Sequence, residues 1–504
     1  MKKIFLILTT SVFLLSGCTD LDVNPTSQIT DKNYWQTDEH FDAFMYGMHT
    51  RFRSHSWSFL LLGEGRSDIF GDQPFGGEAS EGMERFPYNT ITYEYPGISN
   101  YGEFYTNINQ INLFIKKLKD SNVVLPEDKS YYLGQAYAMR AYYFFHIIRT
   151  WGDAVYTEEP SESFEIGKLD KAATPASEIM ANIKSDLEQS IIHFGSNYSM
   201  REQKSMWSKP ASLMLKAEIY LWSSRQLNGG QNDAKTAKDA LLDIQTNVTD
   251  LGLTDNFSEI FDYSKKGNKE IILAIRNKLN EKNLHEGRYS SNLLPGALYI
   301  RNYYDENGSP IDIVAENNYG SMRLQIKTDN YLRFNDKDSR KRTTMKAVYS
   351  YIEKEGNTEL KLVGTYPKKY PGTMNGSVRV AADDYPVYRY AELLLMLAEA
   401  KAILGEDPSN EINLIRKRAF GNNYDESVAY PNQPHDANVN DAILEERFLE
   451  FILEGKRWYD LRRFGNEYVF KYTLADPQHP LRLLWPIDVT TLNRNQDLNQ
   501  TPGY

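Results

Sequence analysis

Apolar residues recur at a spacing near 3.6 over six long stretches: Phe104 to Leu118, Lys129 to Thr150, Ala176 to Ile192, Pro210 to Leu227, Tyr388 to Leu404 and Asp441 to Arg463. That period marks helices with a buried face. Two of the stretches hold runs with no polar side, Tyr142-Tyr143-Phe144-Phe145-His146-Ile147-Ile148 and Leu393-Leu394-Leu395-Met396-Leu397-Ala398. A helix apolar all round has to lie between other helices, so the scaffold is expected to be mainly α. Small residues where helices would cross, Ala136, Ala138 and Ala141 in one and Ala398, Ala400 and Ala402 in another, suggest stacked helix pairs, although no strict repeat of about 34 residues is visible. Strand-like pieces are short and scattered. The best is Glu270 to Ile275, too little for a sheet-based fold.

Two long irregular stretches, 54–102 and 277–386, separate the helical blocks and are rich in Gly, Tyr, Asn and Asp. Loops of that length inside one unit usually carry function. The stretch 476–504 is rich in Pro, Asn and Gln and is expected to wrap the surface.

The chain starts with Lys2 and Lys3, runs apolar from Ile4 to Leu15 and reaches Leu15-Ser16-Gly17-Cys18. This pattern is a secretory signal ending in a lipobox, and its apolar run is shorter than the ~20 residues that span a bilayer. Residues 1–17 are expected to be cleaved and Cys18 to be acylated. Cys18 is the only cysteine in 504 residues, so no disulfide can form within the chain. The body is expected to be a single unit, 18–504, tied to a membrane by its acyl chains without spanning it. A net charge of −11 with no basic face argues against a nucleic-acid partner.

Several segments carry a resemblance. Cys18 is followed by Leu21-Asp22-Val23-Asn24-Pro25 and Asn33-Tyr34-Trp35-Gln36-Thr37; "QAYAMRAYYFFHIIRTWGDAVYT" spans Gln135 to Thr157; "DYPVYRYAELLLMLAEA" spans Asp384 to Ala400; "ILEERFLEFILEGKRWYDLRRFG" spans Ile443 to Gly465. With the closing "PIDVTTLNRNQDLNQTPGY", these resemble the signatures of the SusD/RagB family from Cys18 to Tyr504. Val155-Tyr156 and Asp488 stand where the family usually has proline. The resemblance implies a fold of tetratricopeptide-like helix pairs decorated by long loops, placed at the outer membrane facing the cell exterior. It also implies a SusC-like TonB-dependent barrel as partner, an oligosaccharide or in some members a peptide as ligand, and no catalytic residues or cofactor.

In the most specific of these motifs, Arg447, Glu450, Glu454 and Arg457 recur at three- and four-residue intervals and are expected to form an ion network along one helix, beside an apolar face of Leu444, Phe448, Phe451 and Ile452. Flanking arginines favour ionised carboxylates, which argues against Glu450 and Glu454 as an acid/base pair. Arg389 and Glu392 are read as a charge pair on a packed helix. Trp35, Trp151, Trp207, Trp222, Trp458 and Trp485 fall in helical or framework segments and are expected in the core. Trp57 alone falls in a loop-rich region, with Arg66, Asp68 and Asp72 nearby, and is the leading candidate to stack on a sugar. A second candidate cluster is Arg288, Tyr289, Tyr299, Tyr303 and Tyr304, where aromatic faces meet planar polar groups.

No zincin, Cys/His zinc, G-x-S-x-G or P-loop motif is present, and Asn335 to Arg340 lacks the glycine and terminal glutamate of a calcium loop. No metal site is expected. A surface glycoside hydrolase is the competing reading, with Asp68, Asp72, Glu78, Asp305 and Asp383 as free acids in the loops. A purely structural assembly lipoprotein is a third.

Overall fold

The structure, a computed structural model, describes residues 34–71, 75, 82–97, 101–162, 170–354 and 356–504. Cys18 and the Leu21 to Asn33 part of the opening motif lie outside the described residues, as do Asp72 and Glu78.

The fold is mainly helical. Among the described residues eleven helices make the scaffold: α1 (Asp38–Ser54), α2 (Ser56–Glu64), α3 (Tyr101–Asp120), α4 (Pro126–Trp151), α5 (Ala176–Phe194), α6 (Lys209–Gln226), α7 (Gly230–Asn247), α8 (Tyr390–Leu404), α9 (Ser409–Phe420), α10 (Val439–Phe451) and α11 (Arg457–Phe464). Local chemistry sets their ends. Pro126 and Pro210 stand in first turns, where a missing N–H costs nothing. Ser208 accepts from the Ala211 N–H, Asn438 accepts from Asn440 and Asp441, and Gly405 closes α8 at φ 75°.

Helices α4 and α5 pack as a pair, α6 and α7 as another, and α8 lies against α7. The all-apolar faces read from the sequence are where this stacking happens: α4 is buried from Tyr131 to Trp151, and Ala136, Ala138 and Ala141 are fully enclosed. At the α4–α5 crossing Ser190 donates to the Gly134 carbonyl at 2.7 Å, and a side chain on Gly134 would press on the Phe194 ring at 3.0 Å. Among the described residues no helix is long and apolar enough to cross a membrane.

Two expectations about elements need correction. The stretch 54–102 is not loop throughout, because all nine residues of α2 are buried. The helix read across Asp441 to Arg463 is two helices, broken at 452–456 with Leu453 at φ 68° and Gly455 at φ 74°. The break is tertiary in origin. The buried Glu64 carboxylate accepts the backbone N–H groups of Leu453, Glu454 and Gly455 at 2.7–3.0 Å, and Gly63 meets Gly455 so closely that a Cβ there would stand 1.8 Å from the Gly455 carbonyl. Those N–H groups are the ones a continuing helix would have turned inward.

The stretch 277–386 is also more ordered than its composition suggests. Strand β1 (Ile271–Ile275) leads into it and β6 (Tyr385–Arg389) leads out, and the two pair antiparallel with Ile271 opposite Arg389 and Ile275 opposite Tyr385. Beyond that neck lies a lobe with its own small core of Ile300, Ile311, Ile313, Met322, Val348 and Tyr366. It contains a long hairpin, β2 (Met345–Lys354) with β3 (Asn357–Pro367), and a short one, β4 (Thr373–Asn375) with β5 (Val378–Val380). The chain end wraps the surface as expected. Trp485 is fully buried, and the Tyr504 hydroxyl donates to the Arg482 and Leu484 carbonyls at 3.1 and 3.0 Å.

Candidate functional site

Trp57, Arg66 and Asp68 of the first predicted cluster are built into the scaffold, which corrects their assignment as a ligand platform; Asp72 lies outside the described residues. Trp57 is 6% exposed on α2, edge-on to His285 at 5.6 Å, so its ring has no free face. Arg66 is buried between the Trp458 and Trp485 rings. It donates to Asn89 at 2.8 Å and to the carbonyls of Arg482 and Leu484 at 2.6 and 2.8 Å, which pins the chain end. Asp68 is bound by Arg457 at 2.8 and 2.9 Å and by Arg333 at 3.1 Å; burial opposes its ionisation, but the two arginines hold its carboxyl below the usual range. Each of these polar groups already has the partners its burial demands.

The second cluster is dispersed. Arg288 is exposed, Tyr299 is 45% exposed, and Tyr303 is half-buried against Phe75. Tyr304 pairs its backbone with Tyr349 and rests its ring on Tyr351. Of the five, Tyr289 alone lines a cleft: its ring stands edge-on to Tyr370 at 5.5 Å, and its buried hydroxyl makes no well-formed hydrogen bond. Burial, with the carboxylate of Asp383 nearby, pushes that phenol up.

That cleft is the most ligand-like place in the lobe. It has a volume of about 160 Å³ and is walled by Ser290, Asn317, Asn318, Tyr319 and Arg379 above Tyr289. A strap over Asn317–Met322 forms one wall, tied to the segment below by Gly320 N–H to the Pro295 carbonyl and Met322 N–H to the Leu294 carbonyl, both at 2.9 Å. Glycine is required in it, because a Cβ on Gly320 would stand 1.8 Å from the Ser290 carbonyl. Asn317, at φ 50°, turns the strap, and Tyr319 follows with its ring 50% exposed. Arg379 is braced by the carbonyls of Pro371 at 2.9 Å and Glu316 at 3.1 Å, which leaves one guanidinium nitrogen without a partner among the described residues. At the foot, Asp383 accepts the Gly372 N–H at 2.8 Å through one oxygen, while the other is buried and unpartnered; burial pushes this carboxyl up to about 7.

Sequence reasoning missed Asn317, Asn318, Tyr319 and Arg379. The available signal was the turn-forming run Asn317-Asn318-Tyr319-Gly320, since asparagine and glycine tolerate left-handed backbone. The buried tryptophans shift the stacking role to tyrosine, whose exposed copies include Tyr88, Tyr93 and Tyr95 as well as Tyr319. A half-exposed ring, two amides and a braced guanidinium together can cover an apolar C–H face and bond its neighbouring hydroxyls. The volume is below the ~300–1,000 Å³ of clefts that enclose a whole drug-sized ligand, so the cleft has room for only a small group or one part of a larger molecule.

Arg447, Glu450, Glu454 and Arg457 are all buried in ion pairs, but not with one another along one helix as expected: Arg447 binds Glu392 and Asp460, Arg457 binds Asp68, and Glu450 and Glu454 share Arg389. Arg389 does not pair with Glu392; it binds Glu270, Glu450 and Glu454, while Glu392 binds Arg447 at 3.2 Å and Lys456 at 3.0 Å. Trp151, Trp207, Trp222, Trp458 and Trp485 are buried, and Trp35 is partly buried against the core.

Comparison with known proteins adds the following. Residues 254–481 match the model of the SusD family, and residues 21–221 match a model described as starch-binding associating with outer membrane. Among solved structures, the chain is similar to B. fragilis NanU with a TM-score of 0.88 at 45% identity, over 96% of this chain and 100% of that one. It is similar to a SusD superfamily protein from Bacteroides vulgatus with a TM-score of 0.86 at 43% identity, over 93% and 100% of the two chains. It is also 26% identical over 550 residues to SusD-like protein P38 of Formosa agariphila, which covers 99% of this chain and 98% of that one.

Proposed function

The chain belongs to the SusD/RagB family, and from that premise we propose that it is a surface-binding lipoprotein that captures oligosaccharide fragments and delivers them to a SusC-like TonB-dependent barrel in the outer membrane. One observation carries the ligand assignment. The cleft beneath Tyr319 is lined by the amide-bearing Asn317 and Asn318 and by Tyr289, whose buried hydroxyl makes no well-formed hydrogen bond, while a ring stands half-exposed beside them. Amide donors and acceptors next to an exposed aromatic face match a polyhydroxylated ring. The family-model description, starch-binding associating with outer membrane, supports both the ligand class and the location.

The reading is capture without cleavage. Glycoside hydrolysis needs two free carboxyls across a cleft, ~5–10 Å apart. Of the loop acids, Asp68 is held by two arginines, Asp305 accepts the N–H groups of Asn307 and Ser309 at 2.9 Å, and Asp383 is buried against Gly372. The anchor is Cys18, and residues 18–504 act as one unit.

Isothermal titration of the purified full chain against neutral oligosaccharides and peptides tests this. Binding of an oligosaccharide is expected, with Tyr319→Ala weakening it about tenfold and no reducing ends released. Binding of peptides alone would move the assignment to the family's peptide importers. An unchanged affinity in Tyr319→Ala would remove the ligand from this cleft.

A further inference from the structure

A second opening lies between α1 and the segment leaving β1. One hollow of about 230 Å³ is lined by Tyr46, Arg53, Glu202 and Arg276, a second of about 450 Å³ by Lys282, Glu286 and Asn375, and Glu281 belongs to both. They form one groove. Val380 on its far wall belongs to the β4–β5 hairpin, whose Arg379 lines the Tyr319 cleft, so a two-stranded ridge separates groove from cleft.

Backbone strain concentrates here. Glu202, Gln203, Lys204, Asn280, His285 and Glu286 all have φ between 51° and 65°, and these six, on or beside the groove wall, are more than half of the eleven non-glycine residues with positive φ in the described chain. Each such residue is strained and persists only where its surroundings enforce it, a pattern typical of ligand-holding surfaces.

The charges point to the ligand. Arg53 pairs with Glu281 at 2.6 Å, Arg276 with Glu202 at 3.3 Å, and Lys282 with Glu286. These pairs consume the groove's acids and leave Lys278, which is exposed and makes no ion pair among the described residues, as a surplus cation. The Nε of Arg53 is buried with no hydrogen-bond partner. On a protein of net charge −11, an ammonium that makes no ion pair, in a hollow that Arg53 also lines, favours an anionic group. The rest of the wall suits hydroxyls: Asn375 donates to Asn280 across the groove at 3.2 Å, and the Tyr46 ring is 44% exposed.

We propose that this groove is a second binding site, for saccharide units that carry a carboxylate, with Lys278 and Arg53 as the anion contacts and Tyr46 as the stacking ring. The site stands apart from whatever occupies the Tyr319 cleft.

Titrating the full chain at low salt with trigalacturonate and with galactotriose tests it. Trigalacturonate is expected to bind at least about tenfold more tightly, with the advantage shrinking as sodium chloride rises to about 0.5 M. Lys278→Ala and Arg53→Met should each remove most of that advantage, and Tyr319→Ala should leave it intact. Lys278 is exposed, so its variant should melt with the wild type, which separates lost binding from lost fold. The proposal is overturned if the two trimers bind equally or not at all, if the acid preference survives both variants, or if it disappears in Tyr319→Ala.

Discussion

Arg389 sits at the centre of a buried knot of charge. Its guanidinium donates to Glu450 at 2.6 Å and to Glu270 and Glu454 at 2.8 Å, and Glu450 also takes Arg340 at 3.0 Å and Arg418. Removing one member strands the others away from water, so Arg389→Met should cost ~3–5 kcal/mol of unfolding free energy, read from urea denaturation. Burial opposes ionisation of Glu450, but Arg418, Arg389 and Arg340 outweigh it and hold the carboxyl well below its ordinary range. A carboxyl depressed this way stabilises the fold above its unfolded pKa of about 4.3, and that stabilisation is lost as pH falls through the folded value. Asp383 has the opposite sign. Burial raises it to about 7, so between its unfolded value near 4 and that pH the folded protein holds a proton the unfolded chain does not, and stability falls as pH rises across the window. Asp383→Asn should therefore change little below about pH 4 and stabilise at pH 8 by ~1–3 kcal/mol; a variant whose melting temperature tracks the wild type at every pH would refute this. Residue identity alone can mark Trp57, Arg66 and Asp68 as binding-type groups. It cannot show them buried, because their cover comes from partners hundreds of positions away, such as Arg457 on Asp68 and the Arg482 carbonyl on Arg66.

Periodicity reads helices well where the side chains that make a helix also bury it. The α3, α4, α5 and α6 boundaries lie within three residues of those expected from apolar spacing alone. The same spacing fails across Asp441 to Arg463, since the charged positions continue in register while Glu64 takes the three N–H groups the helix would need. Strands are harder to read for another reason. The outer half of the β2–β3 hairpin is largely exposed, so no buried face imposes an alternation of apolar residues. At the α2 to Gly455 contact, backbone meets backbone and neither side can yield cheaply. Gly63→Ala is expected to cost ~1–3 kcal/mol or more, by overpacking, in the same urea assay. A variant that unfolds at the wild-type urea concentration would show that the two segments can part without loss.

At the scale of the molecule, the helical body is legible from the sequence and the lobe is not. Helical faces repeat along the chain, whereas the lobe is assembled from pairings such as Tyr304 with Tyr349 that no local pattern announces. Tethering belongs to this scale too. Cys18→Ala should leave the melting temperature unchanged and free the protein from outer-membrane pellets after a salt wash; sedimentation that persists would mean another attachment holds it. The neck formed by β1 and β6 has a consequence for how such proteins diversify. Departure and return of the chain lie side by side at Ile275 and Tyr385, and cations of the lobe bolt it to the helical body as well: Arg333 to Asp68, Arg340 to Glu446 and Glu450, and Lys369 to Glu454. A foreign cassette would have to reproduce those cations as well as the two posts, so recognition is free to vary in the lobe's outer loops while its inner face stays committed to the stack.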